Sequence, residues 1–315
     1  MTARPLSGRA KPTTPSRSHP RSAPIRPCMF CLHLSINLQY EVLNHPADFI
    51  FNLQAARTAH QDVLSEALIL NQAVAIAFHE DLRLHHRTAR LRASPGMLTV
   101  HYRAEVMLRH HRARAEDLAE APLLQLPPEV LTYLFPSRYC ESDRLQAQAH
   151  QLFGHLPPGY ARAEAICAWV QQHVRFTPGS SHGSTSALDT LAQRQGVCRD
   201  FAHLMIALCR ALNLPARICS GLDYGADPDL GPTDFHAYVE VYLGGRWYLF
   251  DPSGTAIPEG LLRIGTGRDA ADVAFATIFG QIRCERPQLT VSAVVDPARG
   301  LALPRRGTGP LSTDG

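Results

Sequence analysis

Three residues in the second half of this 315-residue chain have types and spacing that suit nucleophilic chemistry: Cys198, His236 and Asp251. Cys198 follows Gln195, Gly196 and Val197. It opens a run whose apolar positions, Phe201, Leu204, Met205, Leu208 and Leu212, repeat with the helical period. A thiol at a helix start meets unpaired N–H groups and the positive end of the helix dipole, and both favour thiolate. Cys167 and Cys209 fall inside helical runs and fit the commoner role of an inert buried cysteine.

Phe235 to Gly254 reads FHAYVEVYLGGRWYLFDPSG, with Gly244 and Gly245 as a two-residue hairpin turn. That turn pairs Leu243 with Arg246 and, counting back, Tyr238 with Asp251 and His236 with Ser253. His236 and Asp251 then lie diagonally on one face, about 7–8 Å apart at the backbone, so a carboxylate can reach an imidazole. Val239, Val241, Tyr248 and Phe250 fall on the other face and can pack into a core. Singly, a histidine and a strand-ending aspartate are ordinary surface residues. Together they suit a pair in which the histidine takes a thiol proton and the aspartate fixes its tautomer. An N–H at the helix start can face the oxyanion. Sequence order alone does not bring Cys198 to His236.

The elements that must position these residues differ between the two halves. Alternating apolar residues run over Leu32–Val42, Phe49–Leu53, Val74–Phe78 and Leu98–Leu108, which predicts an antiparallel sheet or sandwich over about 32–110. The stretch 113–137 holds Pro122, Pro127, Pro128 and Pro136 and reads as a linker. Beyond it, helices are expected from Ser142 to about Phe153, after Pro158, near 186–194 and from Cys198. Strands follow at about 216–222, 237–243 and 246–251. Helices first and sheet later make an α+β domain. The expected organisation is a disordered basic tail (1–27), a β-rich sandwich-like domain (28–112), a linker (113–137), an α+β domain (138–296) and a disordered C-terminal tail (297–315).

Composition bounds the function. The net charge of +3 comes from six basic residues in 1–27, a stretch without acids; the remainder has 25 basic and 28 acidic side chains. No nucleic-acid footprint follows. No apolar run approaches the roughly 20 residues of a membrane helix. The basic start lacks the apolar core of a secretory signal, and Met29 is the favoured alternative start. Cys28 and Cys31 form the one CxxC pair and have no second pair to complete a zinc site. The thiols are expected reduced, in the cytoplasm.

Several other motifs read as coincidences. GSSHG (179–183) matches a serine-hydrolase elbow at Ser181, but its Gly/Ser-rich surroundings fit a strand–turn–helix poorly. GTGRDA (265–270) lacks a βαβ unit. FHEDLRLHH has Arg83 where a zinc-peptidase helix needs histidine. His85, His86, His110 and His111 lack ligand spacing and are expected on exposed faces. Asp223, Asp227, Asp229 and Asp234 make a solvated loop, with a substrate-access rim as the smaller alternative. Pro228 stands where a calcium loop needs glycine. Asp200 is expected to stabilise its helix start.

GVCRDFAHLMIALCRALNLPARICSGL (196–222) and DFHAYVEVYLGGRWYLFDPSG (234–254) resemble the transglutaminase-like superfamily, above all bacterial members provisionally described as cysteine proteases. The resemblance covers about 135–295. It implies a papain-like core whose Cys–His–Asp triad falls on Cys198, His236 and Asp251. The region before it is similar to the N-terminal domain that often precedes this core. RIGTGRDAADVAFATIFG (263–280) also resembles that subgroup, without an assigned role. No calcium-binding insert is recognisable, and no metal or cofactor is expected.

The resulting expectation is a cysteine-dependent acyl-transfer enzyme acting on carboxamide or peptide bonds of a protein or peptide through a thioester, without nucleic-acid or membrane partners. The competing class is a non-catalytic protein-binding module of the same fold. Hydrolysis against amine transfer, and the oligomeric state, stay open.

Overall fold

Where every second side chain is apolar, an extended chain can bury one whole face, and the first half of the protein does this twice. The computed structural model describes residues 29–81, 86–225, 229, 233–307 and 309–314. Its first half contains β1 (Phe30–Val42), β2 (Ala47–Phe51), β3 (Gln61–Leu70), β4 (Ala77–Asp81), β5 (His86–Ala93) and β6 (Gly96–Leu108). The second half contains α1 (Gln146–Phe153), α2 (Tyr160–His173), α3 (Ala187–Gln193) and α4 (Cys198–Ala211). After them come β7 (Ala216–Asp223), β8 (His236–Leu243), β9 (Arg246–Phe250), β10 (Leu261–Gly267), β11 (Ala276–Phe279), β12 (Ile282–Cys284) and β13 (Gln288–Val294).

Two antiparallel sheets form the N-terminal sandwich. β1 pairs with β6 from Phe30↔Leu108 to Val42↔Gly96, and β3 extends this sheet from β6. The second sheet runs β11-β2-β5-β4. Leu32, Ile36, Val100 and Tyr102 of one sheet and Phe49, Phe51 and Leu91 of the other share a single apolar core. The alternation reading missed β3 and β5. The buried positions of β5 are Arg87, Ala89, Leu91 and Ala93, of which Leu91 alone is a large apolar residue, so the apolar signal is weak. Arg87 is tolerated there because Glu66 of β3 meets its guanidinium at 2.5 Å. The expected strand at Val74–Phe78 begins only at Ala77.

The α+β unit stacks helices on a sheet of order β9-β8-β7-β10. α4 lies at its centre, and from Asp200 to Ala211 every residue is buried. The hairpin register is the one counted from its glycine turn, with Leu243↔Arg246 and Val239↔Phe250 paired. Val239, Val241, Tyr248 and Phe250 enter the same core as α4.

The expected domain boundaries need correction. β11 pairs with β2, and both β12 and β13 pair with β1, so residues 276–294 complete the N-terminal sandwich. They cover strand edges that would otherwise expose unpaired backbone. The expected linker carries short 3-10 turns, and its Val130 and Tyr133 pack on Tyr242 and Trp247. The C-terminal stretch, expected to be disordered from 297, is docked: Leu311–Ser312 pairs with His111–Arg112. Asp314 reaches a buried ion cluster with Arg217, Glu240 and Arg263, where Arg263 meets Glu240 at 3.0 Å and Asp314 at 3.4 Å. Charge compensation is a long-range effect that terminal composition does not reveal. The basic tail 1–27 and Cys28 lie outside the described residues, as do Arg83, His85 and Asp227.

The two units share packing as well as chain. Leu222, Leu262 and Ile264 of the second sheet enter the sandwich core. Gln61 of β3, fully buried, donates to the carbonyls of Ala56 and Arg263 and accepts the N–H of Arg263 at 2.8 Å.

Candidate active site

Local sequence explains how the helix start is built. Asp200 is fully buried and accepts the N–H of Val197 at 2.8 Å, closing the first turn of α4. Gly196 permits this, because a Cβ there would lie 2.7 Å from that of Asp200. The first N–H groups of a helix have no intrahelical acceptor. With Val197 held by Asp200, those of Cys198 and Arg199 remain as donors at the nucleophile's own turn.

His236 begins β8 and Asp251 directly follows β9, so hairpin register delivers both to one place. His236 Nε2 lies 3.3 Å from Asp251 Oδ1, with both side chains buried. Asp251 also accepts from the Ser253 hydroxyl at 2.7 Å and from the N–H of Ala256 at 2.9 Å. Burial alone would raise its carboxyl; the His236 charge and these hydrogen bonds outweigh burial and hold it below the ordinary carboxylate value. For His236, burial favours the neutral ring. The Asp251 charge and hydrogen bond, with a contact from the Cys198 thiol, reverse this and raise the imidazole well above its usual value. With Nε2 taken by Asp251, Nδ1 is the nitrogen left to face the thiol. Cys198 Sγ also lies 3.9 Å from the carbonyl of Phe235. All three residues expected at the site are therefore brought together.

Cys198 and His236 open on a cavity of about 820 Å³. Phe235 stacks on Phe275 at its wall, ring centroids 4.3 Å apart. Asn52, from the N-terminal sandwich, lines it too. The 263–280 stretch gains a role here: Val273, Phe275 and Ala276 form cavity wall. His203 in α4 anchors that wall by accepting the N–H of Ala270 at 3.1 Å, and it stacks on Tyr139. Burial pushes His203 down to about 3, so the ring stays neutral and keeps its acceptor. Its position inside an apolar helical run gave no sign of this contact.

Other expectations are revised. Ser181 lines the cavity, but its hydroxyl donates to Asp200 at 2.8 Å and accepts from Arg199 at 2.5 Å. An ion-held hydroxyl without an imidazole partner does not make a serine nucleophile. Gly265 and Gly267 lie in an antiparallel strand, so the GxGxxA match has no phosphate-binding turn. Asp223 is buried against the cavity and not a solvated loop residue; burial raises its carboxyl, with Asp251 adding to the rise and His236 opposing it. Asp234 stays exposed, 3.9 Å from Arg286. His110 is buried, contrary to the exposed-face expectation, and His86 accepts the N–H of Thr266 at 3.0 Å. Away from the cavity, Cys31, His33 and Glu105 bring three metal-competent atoms within 4.8 Å of one another on the sandwich.

The fold and site are those of an α+β protein with a papain-like core behind a β-sandwich. The family model of the transglutaminase-like superfamily matches residues 146–252, and that of the bacterial transglutaminase N-terminal domain matches 31–129. A crystal structure from Cytophaga hutchinsonii, of a protein provisionally described as a cysteine protease, is 35% identical with a TM-score of 0.82. The match covers 90% of this chain and 97% of that one. The chain belongs to the transglutaminase-like superfamily. An uncharacterised protein of Mycobacterium leprae is 36% identical over 115 residues, 35% of this chain and 41% of the relative. One of Mycobacterium tuberculosis strain H37Rv is 34% identical over 149 residues, 44% of this chain and 48% of the relative. The chain thus spans less than half the length of these curated relatives.

Proposed function

We propose that this chain is a cysteine-dependent acyl-transfer enzyme acting on carboxamide or peptide bonds of a protein or peptide. The observation that carries the reading is His236 held between the Asp251 carboxylate and the Cys198 thiol, at the mouth of a cavity. The thiol proton passes to His236 as Cys198 Sγ attacks the amide carbon. Charge on the carbonyl oxygen is met by the N–H groups of the α4 start. His236 then protonates the leaving nitrogen, the C–N bond breaks, and a thioester remains on Cys198. Water or an amine, deprotonated by His236, releases the acyl group and restores the thiol. Asp251 keeps Nε2 protonated and stabilises the imidazolium throughout. We assign the reaction to the reducing cytoplasm, where a lone nucleophilic thiol persists.

The experiment is mass spectrometry of the protein mixed with a glutamine-peptide library and an isotopically labelled amine. Loss of amide from a peptide, with incorporation of water or amine, is the expected outcome and separates hydrolysis from transfer. A chain that alters no peptide and forms no thioester at Cys198 would return the protein to the binding-module class.

A further inference from the structure

One polar side chain of the cavity comes from outside the α+β unit. Asn52 directly follows β2 of the N-terminal sandwich and is 5% exposed, yet it lines the cavity that holds Cys198 and His236. Its backbone is fixed there, because its N–H donates to the carbonyl of Phe275 at 2.9 Å. The two ends of its side-chain amide have different surroundings. Oδ1 is enclosed by protein and closed to a ligand. Nδ2 is the accessible end, and it has no acceptor among the described residues. β10 leaves room beside it: a Cβ on Gly265 would lie 3.2 Å from Nδ2.

An N–H donor open to a cavity is hydrated until a ligand displaces the water. A ligand that brings an acceptor replaces that hydrogen bond. An apolar group of the same shape leaves the donor unpaired, which costs more than an ordinary hydrogen bond contributes. The donor therefore selects for an oxygen, and the charges around it select which kind. Both arginines of the lining are engaged, Arg199 with Asp200 and Ser181, and Arg286 at 3.9 Å from Asp234. Asp223, buried in the same lining, has no arginine partner among the described residues. A carboxylate drawn into the cavity would face that acid with no free cation to balance it, and an uncharged carbonyl would not. Phe235, Phe275, Ile218 and Ile264 add apolar wall that suits a flat amide.

We propose that Asn52 is a specificity-determining residue of the acyl-transfer site: its Nδ2 donates to a main-chain carbonyl oxygen of the peptide substrate, at a peptide bond other than the one that reacts. A peptide carries this oxygen at every residue, whatever its side chains, which suits a lone donor among apolar walls. The inference deepens the acyl-transfer reading and rests on it for the word substrate. It gives the N-terminal sandwich a part in binding. Cys198 enters from α4 and Asn52 from beyond β2, so the reacting carbonyl and the recognised one are held by different units.

Two arms test it on the full chain. In the first, Cys198 displaces chloride from chloroacetyl peptides; the C–S bond forms, chloride leaves, and the thiol proton passes to His236 and then solvent. The peptides come in pairs. In one member a peptide bond is replaced by a ketomethylene group, and in the other the ketone oxygen of that group is replaced by a methylene carbon. The members thus differ in one acceptor and share their shape. The replacement is moved along the peptide bond by bond. At one position the ketone should label faster by about 5- to 10-fold, the size of one hydrogen bond. Asn52→Leu should bring that ratio to about one. Asn52→Asp, which keeps the shape of the side chain and puts an acceptor where the donor was, should do the same at pH 8, and it serves if Asn52→Leu fails to melt as a folded chain. In the second arm, ligand-observed NMR compares the unreactive acetyl analogues on the Cys198→Ala chain and on the same chain with Asn52→Leu or Asn52→Asp. Binding of the ketone over its methylene partner, lost in the double variants, supports the donor even if Cys198 labels no faster than Cys167; that labelling failure would count against the acyl-transfer reading alone. Equal binding of the two members at every position overturns the proposal, as does a preference that survives Asn52→Asp.

Discussion

Burial separates the cysteines of this chain more sharply than their numbers suggest. Cys167 is pushed up to about 12 by burial and by the nearby Asp251 and Glu164 charges, and Cys209 is driven up further by burial. Cys198 instead opens a helix, lines the cavity and contacts His236. Site-resolved iodoacetamide labelling at neutral pH should modify Cys198 much faster than either of the others. Equal rates at all three would remove the nucleophile. Within the triad, Cys198→Ala and His236→Ala should abolish amide release, since one carries the acyl group and the other moves the proton. Asp251→Asn leaves both reacting atoms and should cost less, still on the order of 10⁴-fold. It should also lower the melting temperature, because Asp251 holds Ser253 and Ala256 as well as His236. Amide release and a melt on each variant check both statements. A Cys198→Ala chain with full activity would refute the mechanism.

Elements fail here by contacts made across them. The α4 start depends on the approach of Gly196 to Asp200. Gly196→Ala should displace the Asp200 carboxylate, free the Val197 N–H and slow Cys198 labelling, with a stability loss of about 1–2 kcal/mol. Unchanged labelling and melting would show that the turn tolerates a Cβ. β3 and β10 are tied through Gln61, whose amide makes three buried backbone hydrogen bonds. Gln61→Leu strands those backbone groups and should cost about 3 kcal/mol in urea unfolding. A cost below about 0.5 kcal/mol would mean that the two units hold together without it.

For the whole molecule, charge decides where it is vulnerable. Asp314 balances Arg217 and Arg263 beside Glu240. Asp314→Ala leaves two buried guanidinium groups on one carboxylate and should cost about 3 kcal/mol. A wild-type melting curve for that variant would mean the C-terminus is dispensable. Two buried histidines set the acid response. His110 is held near 3 by burial, then by Arg112 and His60; His203 is held near 3 by burial, with Asp269 opposing and Arg199 reinforcing. Between about pH 6.5 and 3 the unfolded chain binds the extra protons, so stability falls as pH falls through that window. His236 acts in the opposite sense: its raised value gives stability that is complete below the unfolded pKa and is lost as pH rises through the folded one. His110 has neither ring nitrogen partnered among the described residues. His110→Leu should therefore gain up to about 2 kcal/mol over wild type between pH 7.5 and pH 5, read from urea midpoints. No change in relative stability across that range would assign acid sensitivity elsewhere.

The amino-acid sequence by itself determined what local geometry can carry. A glycine pair sets the hairpin register, because a two-residue turn leaves one way to count back, and that register put His236 beside Asp251. The helical period at Cys198 and the alternation along β1, β2 and β6 were legible for the same reason: each burial pattern repeats within one element. What crossed between elements was not legible. Arg87 and His110 sit inside because distant groups pay for or surround them, which no local period records. Residues 276–294 return to β1 and β2, and Asp314 closes an ion cluster, through pairings separated by up to about 260 positions. Only the tertiary structure set Cys198 against His236 and brought Asn52, from the N-terminal sandwich, into the lining of their cavity. Long-range packing chooses which faces meet, and a cavity exists only once they have met.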